Sequence, residues 1–153
     1  MPGRPARTRI LCLSGPNLQL LGAREPEVYG KETLAQIHTR LARRAREIGV
    51  AVAARQTNHE GTLVDWIGEA GRKGFSGILL NPGAYGHTSI AILDALRASG
   101  LPCVEVHLSN PDAREPFRRR SMVARGCVGR VAGFGGESYV LALEGLARRL
   151  APQ

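Results

Sequence analysis

The first candidate for chemistry is a pair of side chains in the segment GPNLQLLGAREPEVYG, where Arg24 and Tyr29 stand five residues apart after an apolar run. A phenol is a weak base at neutral pH, because it loses its proton only near pH ~10. A guanidinium close by, which is always charged, favours the phenolate. The pair therefore suggests a tyrosinate general base, although a surface loop with an Arg–Glu ion pair and a packing tyrosine would contain the same residues.

A second reactive pair lies in the segment EVHLSN, where Glu105 and His107 are two residues apart on a predicted strand. Side chains at this spacing share one face of a strand. The carboxylate can orient the imidazole and stabilise its protonated form. This arrangement suits a general acid, although histidines on strands are often purely structural. A base, an acid and a donor near a developing oxyanion are the groups that proton removal next to a ketone requires.

Periodicity predicts the elements that must position these side chains. Short apolar runs predict five strands, each followed by a helical pattern. The runs are Arg9–Leu13, Val50–Gln56, Gly77–Asn81, Leu101–Leu108 and Cys127–Ala132. Thr33 is the candidate cap of the first long helix, which Gly49 would end. We therefore expect one α/β domain over residues 9–150, with a parallel sheet covered on both faces, behind a disordered tail of residues 1–8.

The polar residues of the chain collect after particular strands of this predicted sheet. Ligands of such sheets bind beyond the carboxyl ends of the strands, where the strand order reverses. In the flavodoxin-like order 2-1-3-4-5 this point lies between strands one and three. The carboxyl ends of strands one, three and four and the loops after them contain the candidate residues Asn17, Arg24, Tyr29, Asn81, His87, Glu105, His107 and Ser109. We expect all of them at one end of the sheet.

Composition narrows the classes of function. The net charge is +8, but the arginines are scattered and only 5% of residues are aromatic, so nucleic-acid binding is not favoured. Three cysteines in apolar runs lack disulfide or zinc spacing, which favours a cytoplasmic protein without a metal. No apolar run approaches the length of a membrane span, and the first residues lack a signal peptide. Lys31 and Lys73 lie in polar turns, which argues against an imine mechanism.

A flavodoxin-like binding or signalling module is the alternative to an enzyme. A receiver domain needs an acidic pair after strand one, an aspartate at the end of strand three and a lysine after strand five. This chain has Ser14 and Asn81 at the first two places, and no lysine beyond Lys73. A flavin carrier would normally place aromatic residues around its coloured ligand, so a colourless purified protein would exclude it.

Five segments taken in order resemble the type II 3-dehydroquinate dehydratases. They are GPNLQLLGAREPEVYG, NHEG, NPGAYGHTS, EVHLSN and AREPFRRRS. The resemblance implies a flavodoxin-like fold, no metal or cofactor, and anti elimination of water from 3-dehydroquinate through an enolate, the third step of the shikimate pathway. Two positions depart from the family pattern: Gln19 replaces the second Asn of NLNLLG, and Ser138 replaces the glycine before Tyr139.

The resemblance also implies a role for each matching residue. Tyr29 would accept the proton, Arg24 would activate Tyr29 and stabilise the transition state, and His107 would protonate the departing hydroxyl. Asn17 would hold a water that supports the enolate oxygen. The substrate would be bound by Asn81, His87, Asp94, Leu108 (through its backbone), Ser109, Arg114 and Arg118. A dodecamer of four trimers is further implied, in which Asp94 approaches the site of a neighbouring subunit.

Overall fold

The computed structural model describes residues 6–152, which form a five-stranded parallel sheet in the order β2-β1-β3-β4-β5. The strands are β1 (Arg9–Ser14), β2 (Ala51–Gln56), β3 (Gly77–Asn81), β4 (Cys103–His107) and β5 (Gly129–Ala132). The α-helices are α1 (Pro26–Tyr29), α2 (Leu34–Glu47), α3 (Glu60–Glu69), α4 (Ile90–Ser99) and α5 (Glu137–Leu150). The predicted flavodoxin-like α/β fold is confirmed, and the strand order reverses between β1 and β3.

The apolar core lies in two layers, one on each face of the sheet. Along β1, Ile10 and Cys12 pack with α2 and α5, whereas Leu11 and Leu13 pack with α3 and α4. This alternation follows from the two-residue period of a strand, and it requires apolar residues at successive positions. The buried sheet therefore holds its strand ends rigidly at the edge where the polar residues lie.

Helix α2 begins and ends as its sequence predicts. The Thr33 hydroxyl accepts from the Gln36 backbone N–H, and the Gln36 side chain accepts from the Thr33 N–H, which completes a capping box. The helix ends at Glu47, shortly before Gly49 at φ 78°. This left-handed conformation is one that glycine adopts without a steric penalty.

Some boundaries differ from the sequence-based expectation. Strand β4 begins at Cys103 rather than Leu101, directly after Pro102, because proline has no N–H to donate to a ladder. Strand β5 begins at Gly129 rather than Cys127. The loop after β1 contains the one-turn helix α1, which was not predicted and which starts with Pro26 at a position that tolerates a missing N–H.

Gly15 marks the closest approach between the loops that follow β1 and β3. A Cβ at this position would lie 2.6 Å from the Pro82 carbonyl oxygen, so no larger residue fits. The Gly15 N–H also donates to the Asn81 carbonyl oxygen at 2.8 Å. The two loops at the reversal of strand order are therefore held together by backbone contact.

The three cysteines are free thiols rather than disulfides. Burial raises the pKa of the Cys12 thiol to about 12. Contact with the Cys127 thiol, together with burial, raises the pKa of Cys103. Both buried thiols therefore remain protonated at neutral pH.

Two further expectations concern the N-terminal residues and membrane spans. The predicted disorder of residues 1–8 falls partly on residues 1–5, which lie outside the described residues. Between residues 6 and 152, no helix has the length and apolar character needed to cross a membrane.

Candidate active site

One cavity at the carboxyl ends of β1, β3 and β4 brings together ten of the twelve predicted site residues. Its volume is about 610 Å³, counting its open mouth. The ten residues are Asn17, Arg24, Tyr29, Asn81, His87, His107, Leu108, Ser109, Arg114 and Arg118. Pro16, Leu18, Gly83, Ala84 and Pro111 complete the lining. The cavity therefore lies at the reversal of strand order, where the topology predicts a ligand site.

Tyr29 is placed by helix α1, and two arginines lie beside its ring. The Arg24 Cζ atom is 5.1 Å from the ring centroid, and the Arg114 Cζ atom is 5.2 Å from it. Arg24 also forms a 3.5 Å ion pair with Glu25, the residue that precedes the helix. Two permanent positive charges therefore stand next to one phenol, and they come from two different loops.

Glu105 and His107 meet as their spacing on a strand predicts, with His107 Nε2 donating to Glu105 Oε2 at 2.8 Å. Two further donors reach the same carboxylate: Ser121 Oγ contacts Oε1 at 2.6 Å, and Arg130 Nε contacts Oε2 at 2.8 Å. Arg130 reaches it because the β4–β5 register pairs Glu105 with Arg130. Because Nε2 binds Glu105, Nδ1 is the ring nitrogen of His107 that is left to interact with a ligand in the cavity.

Opposing effects act on the pKa of Glu105. Its side chain is fully buried, and burial by itself raises the pKa of the carboxyl. The hydrogen bonds from His107 and Ser121 and the charges of His107 and Arg130 outweigh burial, and they hold this pKa below its usual range. Glu105 is therefore a carboxylate at neutral pH and a fixed acceptor for His107.

His87 lies beside His107, with ring centroids 6.5 Å apart and planes inclined by 12°. Its Nδ1 is 2.9 Å from the Arg120 carbonyl oxygen. A carbonyl can only accept, so Nδ1 carries the hydrogen of that bond. The other nitrogen, Nε2, remains available to a ligand.

Asn17 is held in place through its backbone. It adopts the left-handed conformation at φ 67°, and its N–H donates to Asn58 Oδ1 at 3.0 Å. Gln56 Nε2 donates to the same oxygen at 3.1 Å and to Gln19 Oε1 at 3.0 Å. The departure at Gln19 therefore links the loop after β1 to the end of β2.

Ser138, the second departure from the family pattern, and two arginines of the segment after β4 also make defined contacts. Ser138 Oγ accepts from the Phe134 N–H at 3.0 Å, which ties the loop after β5 to the start of α5. Arg114 Nη1 lies 3.4 Å from Ser109 Oγ, and Arg118 pairs with Glu115. Both arginines thus line the cavity from the segment after β4.

Two predicted residues lie outside the cavity lining. Glu105 lies behind His107, whereas Asp94 is exposed on α4. Three polar residues that the sequence did not single out support the site: Ser121 and Arg130 bind Glu105, and Tyr139 binds Asn81. Within residues 6–152, no group of three or more His, Cys, Asp or Glu side chains is placed to hold a metal ion.

Comparison with known proteins identifies the family. The family described as "Dehydroquinase class II" matches residues 8–147. The 3-dehydroquinate dehydratase of Caulobacter vibrioides is 57% identical over 135 residues, which cover 88% of this chain and 92% of that protein. The enzyme of the same name from Thermus thermophilus is 54% identical over 141 residues, covering 92% and 95%.

Two solved structures give the same result for the fold. The type II dehydroquinase of Butyrivibrio crossotus superposes with a TM-score of 0.89 at 39% identity, covering 92% of this chain and 98% of that one. The type II dehydroquinase of Propionibacterium acnes superposes with a TM-score of 0.87 at 43% identity, covering 94% and 99%. Sequence and structure agree: this chain belongs to the class II dehydroquinase family.

Proposed function

We propose that this chain is a hydro-lyase that removes water from 3-dehydroquinate to give 3-dehydroshikimate, in the shikimate pathway to chorismate and the aromatic amino acids. Membership of the class II dehydroquinases supports the reaction class. The observation that carries the proposal is a single cavity lined both by Tyr29 beside two arginines and by His107 on a buried carboxylate. These are the base and the acid that an elimination needs.

In the first step, Tyr29 as phenolate takes a proton from the carbon next to the substrate ketone. The C–H electron pair moves toward the ketone oxygen and forms an enolate. Arg24 and Arg114 stabilise negative charge on Tyr29 before the transfer. Asn17 holds a water that donates to the enolate oxygen. This step needs no covalent intermediate with the protein.

In the second step, the enolate re-forms the ketone while its electrons create the new carbon–carbon double bond. The C–O bond of the hydroxyl on the next carbon breaks, and His107 gives that oxygen a proton, so water leaves. Glu105 holds the imidazole in place and stabilises its positive charge before the transfer. The base and the acid act on opposite faces of the ring, which gives anti elimination.

Substrate binding uses the remaining lining of the cavity, together with Asp94 of a neighbouring subunit. We assign it to Asn81, His87, Asp94, Leu108 (through its backbone), Ser109, Arg114 and Arg118. The two arginines offer positive charge to the substrate carboxylate, and guanidinium groups bind carboxylates in a planar, two-point geometry. The amide, imidazole and hydroxyl groups suit the ring hydroxyls of the substrate. No cofactor enters this scheme.

Asp94 joins this set only if the protein assembles. We propose a dodecamer of four trimers, in which Asp94 reaches the site of a neighbouring subunit. Its exposure on α4, and the 57% exposure of Ile90 one turn earlier, support an interface at this helix. Sedimentation in dilute buffer tests the assembly, because a fully active monomer would contradict it. We further propose that residues 9–150 form the single catalytic domain and that the enzyme acts in the cytoplasm.

The direct test of the reaction is to add 3-dehydroquinate and follow the ultraviolet absorbance of the conjugated enone in 3-dehydroshikimate. Absorbance should rise with the wild-type protein and should not rise with Tyr29→Phe. Borohydride added during turnover should trap no adduct on Lys31 or Lys73. Absence of the enone at high enzyme concentration would contradict the proposed function.

A further inference from the structure

Tyr139 is a fully buried phenol that the proposed reaction does not use. It projects from α5, and its hydroxyl lies 2.9 Å from Ser14 Oγ and 3.0 Å from Asn81 Nδ2. Burial raises the pKa of this phenol, so the hydroxyl is protonated at neutral pH. It therefore both accepts and donates one hydrogen bond.

The hydrogen bonds around Asn81 have a fixed direction. The Gly83 N–H can only donate, and it lies 3.1 Å from Asn81 Oδ1, so this oxygen faces Gly83. Asn81 Nδ2 consequently faces Tyr139 and donates to its oxygen. The Tyr139 hydroxyl hydrogen is then left for Ser14 Oγ.

This direction decides what Asn81 presents to the cavity. An amide nitrogen carries two hydrogens, and Tyr139 uses one of them. The second has no protein acceptor among residues 6–152, and Asn81 lines the cavity. Asn81 therefore offers the ligand a donor rather than an acceptor, which suits a carboxylate or hydroxyl oxygen.

We propose that Tyr139 is a positioning residue that fixes the Asn81 amide with its donor toward the substrate. This inference deepens the proposed function, because it rests on the assignment of Asn81 to substrate binding. Ser14 and Asn81 are paired at the ends of β1 and β3, so one hydroxyl from α5 holds both strand ends. Without that hydroxyl, Asn81 Nδ2 loses its buried acceptor, and the Gly83 N–H is left as the one protein group among residues 6–152 that bonds the amide.

A double-mutant cycle tests the proposal through KM for 3-dehydroquinate. Tyr139→Phe in the wild-type background should raise KM about tenfold, the effect of one misplaced hydrogen bond, and change kcat by less than about twofold. In an Asn81→Ala background, Tyr139→Phe should raise KM no further. An equal rise in both backgrounds, or no rise in either, would overturn the proposal.

A matched control separates positioning from a general loss of stability. Ser138→Ala removes the neighbouring buried hydroxyl on α5, which binds the Phe134 N–H rather than Asn81. It should lower the melting temperature and leave KM unchanged. If Ser138→Ala raises KM as much as Tyr139→Phe does, the effect belongs to α5 as a whole and the proposal fails.

A crystal structure of Tyr139→Phe distinguishes failure of this inference from failure of the proposed function. The Asn81 side chain should rotate away from its position in the wild-type protein even if 3-dehydroquinate is not the substrate. An unmoved Asn81 amide, still bonded to Gly83, would overturn the positioning role whatever reaction the enzyme performs.

Discussion

The proposed acid side and the proposed base side of the cavity are built differently. The acid side, made of Glu105, His107, Ser121 and Arg130, rests on strands β4 and β5 and the segment between them, and three side chains donate to one fully buried carboxylate. The base side, made of Arg24, Tyr29 and Arg114, comes from two loops. Among residues 6–152 no side chain or backbone group bonds the Tyr29 hydroxyl. Short hydrogen bonds therefore fix the acid, whereas charge at about 5 Å acts on the base.

The backbone shows the same contrast. Both non-glycine residues with positive φ among those described, Asn17 at 67° and Glu25 at 37°, belong to the loop that carries the base. Such conformations cost free energy and persist only where the surrounding structure imposes them. Strand geometry positions the acid without that cost. Sheet register therefore positions the proposed acid, His107, whereas a loop with two positive-φ residues carries the proposed base, Tyr29.

Loss of the base should have the largest effect. Tyr29→Phe removes the hydroxyl of the proposed base, so kcat should fall by at least about 100-fold, the scale of general-base catalysis. The dissociation constant of 3-dehydroquinate, measured by calorimetry, should change little. Tyr85→Phe is the control, because its hydroxyl bonds the Asn58 carbonyl oxygen outside the cavity lining. Retention of more than about a tenth of wild-type turnover by Tyr29→Phe would exclude the assigned role.

Loss of the acid should separate the two steps. His107→Ala should reduce product formation by about 100-fold or more, because the hydroxyl then leaves without a proton donor. The base side is untouched, so exchange of the substrate α-hydrogen with deuterated solvent, followed by NMR, should persist. Equal loss of exchange and product formation would argue against separate roles for the two sides.

Replacing the nearer arginine should have a smaller effect. Arg24→Lys keeps a charge but replaces a planar guanidinium with a more strongly hydrated ammonium. We expect kcat to fall about tenfold, because Arg114 still lies 5.2 Å from the Tyr29 ring. Arg43→Lys, an exposed site on α2, is the control. A wild-type pH–rate profile and turnover in Arg24→Lys would show that Arg24 does not activate Tyr29.

The smallest effect should come from replacing Arg130, which is the partly exposed partner of Glu105. Arg130 helps to hold the Glu105 pKa below its usual range, so Arg130→Met should raise that pKa. A carboxylate with a lowered folded-state pKa adds stability above its unfolded pKa and loses it as pH falls through the folded value. The variant should therefore lose folding stability at a higher acidic pH, shifted by about one pH unit or less because Arg130 is partly exposed.

Chemical unfolding from neutral pH down to about pH 2, which extends below the usual glutamate pKa of about 4.3, measures this shift directly. Arg130→Lys should restore much of the wild-type profile because it keeps the charge. Arg125→Met, an exposed arginine in the segment before β5, should leave the profile unchanged. If the Arg130→Met and wild-type profiles run parallel, Arg130 does not act through Glu105.

The sequence predicted the fold and most of the cavity lining for one physical reason. Parallel strands present their carboxyl ends at one edge, so polar residues directly after strands must gather there. The pair Glu105 and His107 was found for a similarly local reason, the two-residue period of a strand. Helix α1 was missed because a single turn is too short to show helical periodicity.

The supporting residues could not be predicted because their contacts depend on tertiary placement. Arg130 binds Glu105 only through the β4–β5 register, which a single sequence does not specify. Tyr139 reaches Asn81 only because α5 packs over the ends of β1 and β3. Asp94, assigned from the family, does not line its own cavity, and in the proposed assembly it would reach the site of another chain.

Alkylation of the buried thiols can report when the sheet of this protein separates from its helices. Alkylating reagents attack the thiolate, and burial raises the pKa of the Cys12 thiol on strand β1 to about 12. We therefore expect alkylation of Cys12 to require the sheet to separate from its helices, whereas Cys127 is only half buried. Mass spectrometry of the alkylated chain would measure the extent of reaction at each cysteine, and no additional cysteine has to be introduced.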